Sequence, residues 1–258
     1  MLNTPRRLAF FLPNTFTALN MACGFFSIIL GWKGEFYPAS MLLLLGAIFD
    51  SVDGRVARMT HTQSAFGEQF DSISDVVTFG VAPAFLVYNK FFFDLGRIGL
   101  ITSFVFLLCG ALRLARFNAN IDKVSSDFFQ GLPIPSGALA LVGLTLFTLE
   151  YPETMELSPF VFVVYVLFFA FLMISNIPFN SFKNSEWVRS HKKRVLLTIF
   201  LVMILTFVKE QIMIGLIINV YVFASLLYFF KNRGALQDMF QWKSEDDEEV
   251  GEIQNDQR

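Results

Sequence analysis

Residues 37–58 read YPASMLLLLGAIFDSVDGRVAR, a stretch with no charged side chain before Asp50 and then two carboxylates and two arginines close together. A helix needs about 20 mostly apolar residues to cross the hydrocarbon of a bilayer, and residues 37–57 supply that length. Similar apolar runs, broken by Pro, Gly and charge, place further spans near 14–31, 70–90, 98–117, 135–150, 159–176, 195–208 and 211–230. Backbone polar groups find no water partner in lipid, and no alternating strand pattern with regular turns is present, so each span is expected to be a helix. The expected fold is an all-α polytopic membrane bundle of about eight transmembrane helices.

Composition supports the same class. Of 258 residues, 54% are hydrophobic and only 16% charged, and mean hydropathy is +0.54. A soluble domain carries about 25% charged residues to cover its surface, which excludes an ordinary cytosolic globule and leaves membrane enzymes and transporters. Nothing in this pattern suggests a nucleic-acid partner; the lipid bilayer itself is the expected one. Cys23 and Cys109 lie far apart in apolar stretches and read as buried thiols, and His61 and His191 have no second ligand at metal spacing. Arg6 and Arg7 precede the first apolar run, but Asn20 stands three residues before Cys23 and no small-x-small site follows, so an uncleaved first span is expected.

The net charge of -2 hides an uneven distribution. In an eight-span arrangement 16 of the 20 Lys and Arg fall on one side, and Lys33, Lys90, Arg97 and Lys209 on the other. The positive-inside rule then predicts that both termini and the basic face are cytoplasmic. Residues 237–258 hold eight acids against two bases, Lys243 and Arg258. A charge block with so few apolar residues reads as a solvated, disordered tail. The expected organisation is an integral membrane domain over 1–236 followed by an acidic cytoplasmic tail over 237–258.

Carboxylates within a membrane span cost several kcal/mol, so acids clustered at a span end require an explanation. Asp50 and Asp53 close the second span, and Asp71 and Asp75 open the third. At about 100° per residue the members of each pair share a helix face, and the short hairpin between them lets the two acidic stripes converge. Four such charges repel unless a cation intervenes. Mg²⁺ or Mn²⁺, as one ion or two, suits carboxylate and phosphate oxygens and points to a phosphorylated substrate. Arg58 offers a planar fork of donors to a phosphate, and Gly54 and Gly67 leave room for a ligand or a neighbouring helix. Ion pairing within a polar helix cap would explain neither the glycines nor the excess of acids.

The series Asp50, Asp53, Gly54, Ala57, Arg58, Gly67, Asp71 and Asp75 resembles the full signature of the CDP-alcohol phosphatidyltransferase family, D-x2-D-G-x2-A-R-x8-G-x3-D-x3-D. The resemblance implies transfer of a phosphatidyl group from CDP-diacylglycerol to an alcohol, with release of CMP. It implies Asp50, Asp53, Asp71 and Asp75 as ligands of Mg²⁺ or Mn²⁺, two ions in all, with Asp75 also the general base. Asn14, Thr17, Gly54, Arg58 and Ser64, with Asp50 and Asp53, would hold CDP-diacylglycerol. It also implies a homodimer in a bacterial or archaeal cytoplasmic membrane, with the site facing the cytoplasm.

Three further strings, DSISDVVTFGVAPA at 71–84, RLARFN at 113–118 and FQGLPIPS at 129–136, are similar to the branch of that family whose acceptor is L-serine. That branch commonly has Ser where Thr78 stands. Arg113, Arg116 and Asn118 are candidates for binding the acceptor, or alternatively anchors at a span end. Residues 131–135 read as a rigid turn entering the fifth span. Other acceptors, such as glycerol 3-phosphate, an inositol phosphate or choline, remain open. A divalent-cation transporter would place acids near the bilayer midplane in several spans, whereas these four stand at one face.

Overall fold

The computed structural model describes residues 4–60, 62–119, 128–180, 204–206 and 208–231. Among these, the long helices are α1 (Thr4–Trp32), α2 (Phe36–Met59), α3 (Ala65–Leu95), α4 (Arg97–Ala119), α5 (Ile134–Glu150), α6 (Pro159–Ile174) and α7 (Glu210–Lys231). Five of them, α1 over its Leu12–Trp32 part together with α2, α3, α4 and α7, are long and apolar enough to cross a membrane. The expected span at 195–208 falls outside the described residues except for 204–206 and 208, and the acidic tail lies wholly outside them.

Two boundaries differ from expectation in an informative way. The first helix starts at Thr4 and runs through Pro13 rather than beginning near residue 14. Proline removes one backbone donor from a helix interior, but the flanking apolar sequence sustains the helix on both sides of it. The third span is longer than 70–90, and its backbone widens to π-helical hydrogen bonding over Val76–Val81 and Tyr88–Phe92. A short antiparallel ribbon, β1 (Phe128–Gln130) with β2 (Pro178–Asn180), is the extended structure found among the described residues. It joins the connections that precede α5 and follow α6.

The turn between α1 and α2 shows how local sequence stops a span. Gly34 adopts φ 80°, a left-handed conformation that favours glycine. Gly34 N–H donates to Gly31 O at 3.1 Å and Glu35 N–H to Leu30 O at 2.9 Å. These are the two bonds of a Schellman cap, which satisfy carbonyls at the helix end. The result is a tight reversal, and α1 and α2 pack along their lengths.

The main apolar core lies between α3, α4, α5 and α6, where Phe79, Phe92, Phe106, Leu141, Phe169 and Met173 are fully buried. Ala39, Leu43, Ala82, Leu86, Val142 and Leu146 form a second contact region among α2, α3 and α5. The outward faces carry Phe25, Phe26, Ile101, Phe104, Val164, Phe223 and Leu227, all exposed. Such a surface fits lipid rather than water. Cys23 and Cys109 are buried free thiols, as their apolar settings suggest.

Helices in lipid gain association from close packing, which small residues permit. Gly143 on α5 meets Gly215 on α7 backbone to backbone, so a Cβ added to Gly143 would stand 2.6 Å from Gly215 N. Elsewhere along α7, Tyr37 Oη donates to Glu210 Oε1 at 2.9 Å, and Lys209, just before the helix, pairs with Glu150 at 3.4 Å. Gly143→Ala should force α5 and α7 apart and destabilise the protein by about 1–3 kcal/mol, the usual range for overpacking. A lowered thermal-unfolding midpoint of detergent-solubilised protein checks this; an unchanged midpoint contradicts the crossing.

Candidate active site

The acid site is assembled by α1, α2 and α3 at the end bearing the 60–64 hairpin. Asp50 and Asp53 sit on the last turns of α2, and Asp71 and Asp75 follow the capped start of α3. Ser64 is that cap: its Oγ accepts from Gly67 N–H at 3.1 Å, satisfying a donor that the helix start leaves free. Gly67 is small where Asn14 and Ser64 approach, a Cβ there lying 3.5 Å from Asn14 Oδ1 and 3.3 Å from Ser64 Oγ.

Carboxylate oxygens of Asp50, Asp53 and Asp71 all lie within 4.8 Å of one another. Asp75 lies close enough to Asp50, Asp71 and Asp53 for their charges to interact. Asp53 and Asp75 are buried, and α1 reaches both. Thr17 Oγ1 donates to Asp53 Oδ2 at 2.9 Å, and Asn20 Nδ2 donates to Asp75 Oδ1 at 3.4 Å. The buried Asp71 Oδ1 has no hydrogen-bond partner among the described residues. No Lys or Arg among those residues ion-pairs with these acids, since the one salt bridge found there is Lys209–Glu150. Converging oxygen donors with an orphaned carboxylate oxygen fit a hard divalent cation.

Beside the acids an open cleft of about 230 Å³ is lined by Asn14, Thr17, Asp53, Gly54, Arg58, Ser64 and Asp71, together with Glu68 and hairpin residues. Gly54 differs from the packing glycines. A Cβ there would meet no atom nearer than Arg58 Nη1 at 3.6 Å, so its missing side chain leaves space in the cleft rather than for a neighbouring helix.

The three residues considered for the acceptor part company. Arg113 is buried on α4, with Nε unpartnered among the described residues and its guanidinium 5.4 Å from the Phe117 ring centroid. It is close enough to Asp75 for their charges to interact. Arg116 instead donates to the carbonyls of Ile174, Gln130, Met173 and Ser175, and to Asn176 Oδ1. It clamps the connections around α5 and α6, where Gly131, at φ 74°, lets the backbone pass close to Arg116. Asn118 Nδ2 donates to Ser72 Oγ at 2.9 Å, on the wall of a second opening between α3 and α4.

Sequence reasoning assigned no role in the site to Asn20, Ser74 or Thr78. The available signal was the recurrence of Thr17, Asn20, Gly24 and Ser27 at helical spacing, a small and polar stripe within an apolar span. Ser74 Oγ donates to Thr17 O at 3.0 Å and Thr78 Oγ1 to Asn20 O at 2.9 Å, tying that stripe to α3.

Comparison with known proteins adds independent findings. Residues 10–171 match the family model described as CDP-alcohol phosphatidyltransferase. A Helicobacter pylori protein named CDP-diacylglycerol--serine O-phosphatidyltransferase is 38% identical over 189 residues, covering 73% of this chain and 79% of the relative. A Methanocaldococcus jannaschii protein of the same name is 42% identical over 172 residues, covering 67% and 75%. A Methanothermobacter thermautotrophicus protein named archaetidylserine synthase is 40% identical over 144 residues, covering 55% and 60%. With the acid site and the matched span of sequence in agreement, the chain belongs to the CDP-alcohol phosphatidyltransferase family.

Proposed function

We propose that this integral membrane protein transfers the phosphatidyl group of CDP-diacylglycerol to the hydroxyl of L-serine, giving phosphatidylserine and CMP. The observation that carries this reading is the convergence of the Asp50, Asp53 and Asp71 carboxylates beside a cleft bearing Gly54 and Arg58. The names of the relatives support serine as acceptor.

Asp50, Asp53, Asp71 and Asp75 would hold Mg²⁺ or Mn²⁺, two ions in this reading. Bound there, the metal supplies charge neutralisation and orientation of the diphosphate. Asn14, Thr17, Gly54, Arg58 and Ser64 face the CDP portion, Arg58 as the cation for a phosphate. Arg113 receives the serine carboxylate, while the contacts of Arg116 and Asn118 suit support of the surrounding loops and helices. Asp75 accepts the proton of the serine hydroxyl. The serine oxygen then forms its bond to the phosphatidyl phosphorus as the bond from that phosphorus to the CMP phosphate oxygen breaks, and CMP leaves. One direct displacement inverts configuration at phosphorus.

The basic face defined by charge counting supports a cytoplasmic site and cytoplasmic termini, in a bacterial or archaeal cytoplasmic membrane. A homodimer is the proposed assembly.

Purified protein given CDP-diacylglycerol and Mg²⁺ or Mn²⁺ should release CMP when serine is added, with much less release for glycerol 3-phosphate, inositol or choline. Chelation should abolish release and readdition of metal restore it; no release with any alcohol contradicts the enzyme reading. Asp75→Asn should lower kcat by about 10²–10⁴, the range for loss of a general base, while retaining CDP-diacylglycerol binding in a direct binding assay. Gly54→Ala should raise KM for CDP-diacylglycerol, and Arg113→Lys should raise KM for serine by about tenfold through loss of a charged hydrogen bond. Steady-state kinetics with each substrate varied separately check the assignment.

A further inference from the structure

Asn20 lies on α1 inside an apolar span, is fully buried, and directs its amide nitrogen at Asp75 Oδ1. Its own Oδ1 has no hydrogen-bond partner among the described residues. A buried unpartnered acceptor costs stability, so packing alone gives no reason for an amide here. The reverse amide orientation would aim an oxygen at the carboxylate, whereas the observed one places a donor there.

The surroundings hold the stretch of α1 that carries this amide. Thr78 Oγ1 donates to Asn20 O at 2.9 Å. A Cβ at Gly46 would fall 3.0 Å from Asn20 Oδ1 and 2.9 Å from Thr78 Cγ2, while one at Gly24 would fall 2.6 Å from Thr78 Oγ1. The two glycines therefore let α1, α2 and α3 close around Asn20 and Thr78. The same relation occurs one turn earlier, where Thr17 donates to Asp53 and its carbonyl accepts from Ser74.

We infer that Asn20, its backbone held by Thr78, is a positioning residue for Asp75 that fixes the carboxylate to accept the proton of the serine hydroxyl. The inference rests on the proposed role of Asp75 as base. Asn20 carries no proton in the reaction: its amide donor occupies one oxygen of Asp75, so the carboxylate presents its other oxygen in a defined direction. Small errors in such alignment can lower rate about 10²-fold.

The test uses full-length protein in detergent with saturating metal. Asn20→Ala should lower kcat at least about tenfold while both substrate KM values stay within about twofold, the signature of an interaction used in the reaction rather than in binding. Thr78→Val, which keeps shape and removes the hydroxyl, should lower kcat several-fold, whereas Thr78→Ser, which keeps the hydroxyl, should retain it. Wild-type kcat in Asn20→Ala overturns the inference, as does a change confined to the metal concentration for half-activation. If Asn20→Ala does not fold, equal kcat for Thr78→Val and Thr78→Ser overturns it. Absence of serine-dependent CMP release from the unaltered protein would instead overturn the functional reading itself.

Discussion

Mutual repulsion among four carboxylates is the constraint around which α1, α2 and α3 are arranged. Water would screen these charges at an open surface, but at the end of a membrane bundle the protein must supply the compensation. Hydrogen-bond donors from α1 meet one acid on each of the other two helices, and oxygens of Asp50, Asp53 and Asp71 converge where a cation fits. The geometry depends on close helix approach, which Gly24 and Gly46 permit.

This explains a division of labour between the two halves. The first three helices carry the acids and the cleft, while α4 to α6 form most of the apolar core and support the α3 side of the site. Arg116 extends that support beyond the helices by collecting carbonyls from two connections. A single arginine at a helix end can thus tie two connections together.

Much of this was legible in sequence because it depends on local periodicity. Three- and four-residue spacing puts Asp50 with Asp53 and Asp71 with Asp75, and apolar length marks the spans. Arg116 was less legible, since a base at a span end reads equally as anchor, clamp or ligand contact until distant loops are placed. Asn20 was obscured by its apolar neighbours, its partner lying 55 positions away. The passage of α1 through Pro13 and the widened turns in α3 were not legible either, since an apolar run marks a span without fixing its first residue or its hydrogen-bond register.

The helices α5 and α6 contain 17 and 16 residues. At 1.5 Å per residue each extends about 25 Å, less than the hydrocarbon thickness of about 30 Å in an ordinary bilayer. A short span is matched by local thinning of the bilayer, by flanking side chains that reach to the interface, or by association with other helices, each at a modest cost per ångström. For α5 the third route is already built, since most of its surface is buried against neighbouring helices, so its short length meets protein more than lipid.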